Sequence, residues 1–186
     1  MSDIRPALLV MDFQHGIVER VKESGVVEAA DRAVTAARAH RIPVIFVRVA
    51  FRPGYPEVAA TNIAFSAASS RGDGMHQDHP NTQITSALEP RPDEPVAVKR
   101  RVSAFAGSDL EVLLRGYDAN ALVLAGISTS GVVLSTLRQA ADLDYRLTVL
   151  SDACADTDEE VHRVLLEKVF PKQAEVITTE KWVGAL

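Results

Sequence analysis

Asn120-Ala121-Leu122-Val123-Leu124-Ala125-Gly126-Ile127-Ser128-Thr129-Ser130-Gly131-Val132-Val133 reads as an apolar strand that breaks into a turn of small residues and then opens a helix. A short aliphatic run without polar alternation suits a strand buried on both faces. Working outward, similar runs recur at Ala7–Met11, Val44–Val49, Val96–Val98, Leu147–Leu150 and Ala174–Ile177. Helix-compatible stretches lie between them at Val26–His40, Asp109–Arg115, Gly131–Leu143 and Asp158–Val169. The last opens on Asp156-Thr157-Asp158-Glu159-Glu160, whose side chains suit the free amides and positive dipole end of a helix. Strands alternating with helices build right-handed βαβ units, and these stack into a mainly parallel sheet covered on both sides. The expected fold class is therefore α/β: a Rossmann-like, doubly wound, three-layer sandwich.

Bulk properties narrow the function classes. A chain of 186 residues fits one domain, here expected to span 1–186. With 47% hydrophobic and 24% charged residues, neither a disordered nor a fibrous class is indicated. The formal net charge is −5 and the longest basic run is Lys99-Arg100-Arg101, so no nucleic-acid partner is expected. Cys154 stands alone and can form no intramolecular disulfide. Met1 to Pro6 leads into the first strand without a signal-peptide layout, and the apolar runs are too short to cross a bilayer. The expectation is a cytoplasmic protein with no membrane partner. From Phe51 to Pro95 the pattern dissolves into Pro, Gly, Ser, Asp and His; so long a connection is expected to be partly helical and functional, passing over the edge of the sheet.

In an open parallel sheet, ligands bind beyond the carboxyl ends of the strands, where strand order reverses. Asp12 directly follows the first strand, and partial burial there would raise its carboxyl pKa and suit proton transfer. A cap on a following turn is the alternative reading of the same residue. Lys99 ends the third strand and could hold an anionic substrate or keep a nearby carboxylate ionised; a solvated basic turn is its alternative. The turn after Gly126 would offer the free amides of a helix N-terminus to an anion or a developing oxyanion. No Gly-Lys-Ser/Thr follows it, and no glycine fingerprint follows the first strand, so no nucleotide cofactor is expected.

Together these strand ends resemble the isochorismatase-like, or cysteine hydrolase, family. The resemblance rests on Asp12 with Gln14, on Lys99 shortly before Ser103-Ala104-Phe105, on Gly126 with Thr129, and on Ser151-Asp152-Ala153 after the fifth strand. It spans nearly the whole chain and implies a hydrolase acting on a small molecule and assembling as a dimer or tetramer. It implies Asp12 and Lys99 as catalytic residues and places the nucleophilic cysteine six residues after Gly126. That position holds Val132, which can be neither nucleophile nor base, so the thioester route to amide hydrolysis is expected to be closed. Cys154, after the fifth strand, is read as a buried inert thiol.

The resemblance further implies an oxyanion turn at Ser128, Thr129 and Val132, with a cis peptide between Ser128 and Thr129. Isochorismatases also lack the cysteine: in them an Asp protonates the vinyl carbon of an enol ether and water attacks the resulting cation. Asp12, Lys99 and the turn would supply that chemistry here. The expected substrate pocket comprises Phe13, Gln14, Arg52 and Phe105, with Arg52 or Arg101 available to a carboxylate and Phe51, Tyr55 and Phe65 flanking the cleft. Nicotinamidase-type members carry a metal on Asp-x-His after the second strand. This chain has Val49-Ala50-Phe51-Arg52-Pro53-Gly54 there, and His76 with His79 forms too sparse a ligand set, so no metal or other cofactor is expected. Two further readings stand beside acid–base hydrolysis: a non-catalytic relative that binds a ligand or serves in assembly, and amide hydrolysis through a hydroxyl such as that of Ser130.

Overall fold

A computed structural model describes residues 4–21 and 23–186. Six strands, β1 (Pro6–Met11), β2 (Val44–Val49), β3 (Val96–Lys99), β4 (Ala121–Ile127), β5 (Arg146–Ala155) and β6 (Glu175–Ile177), form one sheet in the order β3-β2-β1-β4-β5-β6. Every neighbouring pair is parallel. The order reverses between β1 and β4, and the register there sets Met11 opposite Gly126.

The apolar runs explain the layers. Successive side chains of a strand point to opposite faces, so an uninterrupted aliphatic strand needs cover on both. Ala7, Leu9 and Met11 of β1 pack into one half-core with Ile45, Leu122 and Leu124. Helices α4 (Leu110–Gly116) and α5 (Leu134–Asp142) close that half through Leu110, Leu114, Leu137 and Ala140. Leu8 and Val10 face the other half-core with Phe46, Val123 and Ala125, covered by α2 (Val26–Ala39) and by Trp182 of α7 (Thr179–Val183). Full burial of a Leu or Val contributes about 1.5–3 kcal/mol, so the sheet centre is where stability concentrates. Gly126 is required by close approach: a Cβ there would meet Val133 Cγ2 at 2.9 Å and Met11 Cβ at 3.2 Å.

The strand and helix expectations hold in type and order, with differences at the ends. β5 runs on to Ala155, past the polar Ser151-Asp152, and its register with β4 slips between Leu124 and Gly126. The Asp152 carboxylate accepts from Thr179 N at 2.7 Å and Thr179 Oγ1 at 2.8 Å, anchoring the start of α7, a contact no local pattern announces. Asp158 is the N-cap of α6 (Glu159–Val164) as expected, accepting from Glu160 N and Val161 N at 3.0 Å each. The segment after β2 contains the short helix α3 (Ile63–Ser69), capped by Asn62. Its first part folds back against the carboxyl ends of the strands, while Gln83, Ile84 and Pro90 lie beside Val96 and Val98 of the edge strand β3. Phe51 N donates to Met75 O at 2.9 Å, Gln77 N donates to Phe51 O at 2.8 Å, and Gln14 bridges Ile84 antiparallel.

Candidate active site

The reversal point between β1 and β4 carries the centre. Asp12 leaves β1 with φ 61°, a left-handed conformation that Asp tolerates better than most residues. Its amide donates to Val47 O at 2.8 Å. Lys99 ends β3, and its ammonium reaches across to Asp12 Oδ2 at 2.8 Å, with side-chain exposures of 2% for the lysine and 7% for the aspartate. The remaining lysine protons go to Arg101 O at 3.2 Å and Val102 O at 2.9 Å. Asp12 Oδ1 is buried without a hydrogen-bond partner among the described residues. Burial pushes the Asp12 carboxyl above its ordinary value, and the charge and hydrogen bond of Lys99 pull back without cancelling the rise.

The pair lies on the wall of a cavity of about 240 Å³, which Ile127, Ser128, Gly131 and Val132 bound from the β4 side. Ile17, Arg20, Val49 and Phe65 close it from the other side and also bound a second cavity of about 370 Å³. Ile17 lies on α1 (His15–Val18) and Arg20 just beyond it, while Phe65 comes from α3.

The turn from Thr129 to Val133 is a single π-type turn leading into α5, a local widening often found at functional sites. Its cis peptide joins Ile127 and Ser128, not Ser128 and Thr129, and so lies directly at the end of β4. Ser130 N donates to Asp156 Oδ2 at 2.7 Å, and Gly131 N and Val133 N both donate to Ser128 O at 3.2 Å. Those amides are committed within the protein, so the turn offers a developing oxyanion less than a free helix N-terminus would. Thr129 is fully buried and points away from the cavity, its Oγ1 2.8 Å from His162 Nδ1. Burial holds that imidazole below its ordinary pKa against the opposing charge of Asp156.

Several expected pocket residues lie elsewhere. Phe13 packs into the half-core under α2, and Phe105 packs into the opposite half-core, its ring 6.4 Å from Tyr145. The Gln14 side chain clamps backbone, donating to Val49 O at 2.9 Å and Thr82 O at 3.0 Å while accepting from Val49 N at 2.8 Å. It borders only the outer cavity and fixes the end of β2 beside β1. Arg52 points outward to Glu57 Oε1 at 2.5 Å, because that carboxylate lies five residues along the same loop. Arg101 is spent on Arg100 O at 2.6 Å and Glu57 O at 2.8 Å.

Of the aromatics, Phe65 alone borders both cavities; Phe51, 5.2 Å from its ring centre, supports it from behind. Ile17, Arg20 and Val49 went unnoticed in the sequence. The available signal was the i, i+3 spacing of Ile17 and Arg20 directly after the strand carrying Asp12. The His76 ring packs tilted against Tyr55 with centroids 4.8 Å apart, His79 Nδ1 accepts from Asn81 N at 3.1 Å, and no three His, Cys, Asp or Glu side chains gather among the described residues. Cys154 is buried, its thiol pushed up to about 12 by desolvation.

A parallel α/β sheet with a buried carboxyl–ammonium pair at its reversal point, facing a small cavity, describes a hydrolase of the isochorismatase-like fold. The Isochorismatase domain model matches residues 6–181, and the chain belongs to that family. It is 33% identical over 185 residues to the uncharacterized isochorismatase family protein YecD of Escherichia coli O157:H7, covering 97% of this chain and 95% of that one. It is 28% identical over 182 residues to the maleamate amidohydrolase of Pseudomonas putida, covering 95% and 84%. The structure of an isochorismatase family protein from Burkholderia thailandensis superposes with a TM-score of 0.85 at 30% identity, covering 98% and 95%.

Proposed function

We propose that this hydrolase cleaves an enol ether in a small anionic metabolite by acid–base catalysis at Asp12, without a thiol nucleophile. The observation that carries the reading is Asp12 itself: Oδ2 is held by Lys99, while Oδ1 is buried at the cavity without a partner among the described residues. A buried oxygen left so is costly unless it carries a proton or meets a ligand. The protonated Oδ1 donates to the terminal vinyl carbon, the π electrons form the new C–H bond, and the ether carbon becomes an oxocarbenium ion. Water adds to that carbon and returns a proton to the Asp12 carboxylate, which Lys99 has kept paired. The hemiketal then collapses to a ketone and an alcohol.

Val132, at the position where the family resemblance expects the cysteine, faces the cavity with methyl groups only. Cys154, with its thiol held at about 12, supplies no thiolate. A full-length relative named as an amidohydrolase favours a second reading, in which the Asp12 carboxylate acts as base toward water attacking an amide. Turnover of an aryl vinyl ether, maleamate and nicotinamide by the wild type and by Asp12→Asn separates the readings. Ether turnover, falling by about 10²- to 10⁴-fold in the variant, is expected. Turnover of an amide without the ether replaces the first reading with the second, and no turnover of any compound favours a binding role.

A further inference from the structure

The arginines around the centre divide into two sets. Arg48 donates to Gln77 O and Thr82 O, Arg52 to Glu57, Arg100 to Ala50 O, and Arg101 to Glu57 O; all four are bound up in holding the loop after β2. Arg20 makes no ion pair or side-chain hydrogen bond among the described residues, yet it borders both the inner cavity with Asp12 and the outer one. Arg71 is likewise uncommitted and borders the outer cavity alone. The other residues that border both cavities are apolar: Ile17, Val49 and Phe65.

We propose that Arg20 is the specificity-determining residue of this site and binds a carboxylate at the end of the substrate remote from the bond cleaved at Asp12. The inference rests on the function proposed above and names its substrate class: an elongated acid with an apolar or unsaturated middle. Arg20 is exposed at the mouth of the cavity, and a guanidinium with free donors there recognises a planar carboxylate through paired hydrogen bonds, which an ammonium at the same place reproduces only as a point charge. The apolar waist at Phe65 and Val49 accepts the middle of such a molecule and disfavours a second charge there. Lys99 is unsuited to the recognition role, since its protons are already taken by Asp12 and two carbonyls. Substrates long enough to enter the outer cavity would meet Arg71 as well.

The test pairs turnover with binding. Kinetic probes are 3-(vinyloxy)benzoate and its methyl ester; the binding probe is 3-ethoxybenzoate, which has no vinyl carbon to protonate. The wild type is expected to prefer the acid over the ester by about 10- to 100-fold in kcat/KM. In Arg20→Gln that preference collapses, mainly through KM. Calorimetric affinity for 3-ethoxybenzoate should weaken by about the same factor in Arg20→Gln, recover partly in Arg20→Lys, and be kept in Asp12→Asn. Unchanged acid preference and unchanged 3-ethoxybenzoate affinity in Arg20→Gln overturn the assignment, as does absence of binding to the wild type. Binding that depends on Arg20 without ether turnover supports the carboxylate site and removes the enol-ether reaction; turnover insensitive to Arg20 does the reverse.

Discussion

The two walls of the inner cavity are built by different means. On one side, Asp12, Lys99, Ile127 and Val132 continue directly from buried strands whose register is fixed, with Met11 opposite Gly126 and Val49 opposite Lys99. On the other, Phe65 rides on a seven-residue helix that buries none of its side chains, and Arg20 lies just past a four-residue helix of the same kind. The groups proposed to react therefore inherit the rigidity of the core. Apart from Val49 of β2, the wall proposed for recognition depends on local clamps, and such segments open at lower free energy than the sheet. On the proposed reading, catalytic geometry and substrate choice can then change independently, one set by the strand register and the other by the loop.

The largest effect expected on this contrast comes from Lys99→Met. Removing one partner of a buried ion pair costs about 3–5 kcal/mol, because Asp12 is left as a buried lone charge. Burial already raises the Asp12 carboxyl above 3.8, and without Lys99 it rises further. A group whose folded value exceeds its unfolded value stabilises fully below the unfolded value and loses that contribution as pH rises through the folded one. Urea denaturation across pH should show the variant's deficit largest at neutral pH and shrinking on acidification. The limb where ether turnover falls with rising pH should move upward. A stability curve parallel to that of the wild type would mean that the pair does not govern the Asp12 proton.

Next in size is Val132→Cys, a near-isosteric change expected to cost about 1 kcal/mol. A thiol at this position would face Lys99 across the cavity, and a neighbouring ammonium favours the thiolate. Under native conditions iodoacetamide should modify it at least about 100-fold faster than Cys154, whose thiol stays protonated up to about 12 and serves as the internal control. Equal labelling of the two thiols would show that residue 132 does not open onto the site, and would weaken the comparison between the two walls.

What was legible in the sequence follows the same division. The strands and Asp12 with Lys99 could be read because hydrophobic period and strand-end position are local signals, and parallel topology brings such ends together. The cis peptide lies one residue nearer the strand than the motif suggests, directly after Ile127, and a strand's last residue is not marked by its local sequence. Phe13 and Phe105 look like cleft aromatics beside Asp12 and Lys99, but both lie in loops beyond the strand ends and turn back into the two half-cores, a tertiary placement that no local pattern announces. Arg52 and Arg101 read as free cations until their partner Glu57 is seen. Arg20 escaped notice for the opposite reason: the lack of a partner among the described residues is a tertiary property, and no local pattern carries it.

The smallest expected effect, and the sharpest on the recognition wall, is that of Glu57→Gln. The Glu57 carboxylate gathers Arg52 at 2.5 Å and Arg100 at 3.5 Å, joining the loop before α3 to the end of β3. Burial would lift its pKa, but hydrogen bonds from its own amide and from Arg52, with the charge of Arg100, hold it below 4.5. Its contribution is therefore present above the unfolded value and lost as pH falls through the folded one. Arg52 is 62% exposed, so screening limits the whole contribution to about 1 kcal/mol. The amide variant should lose about that much at pH 7 and nothing at low pH. Hydrogen exchange should quicken in residues 52–75 while β1 and β4 keep the protection of the wild type. If exchange rises equally in the loop and in the sheet, the two walls form one cooperative unit, and substrate choice cannot vary apart from the catalytic pair.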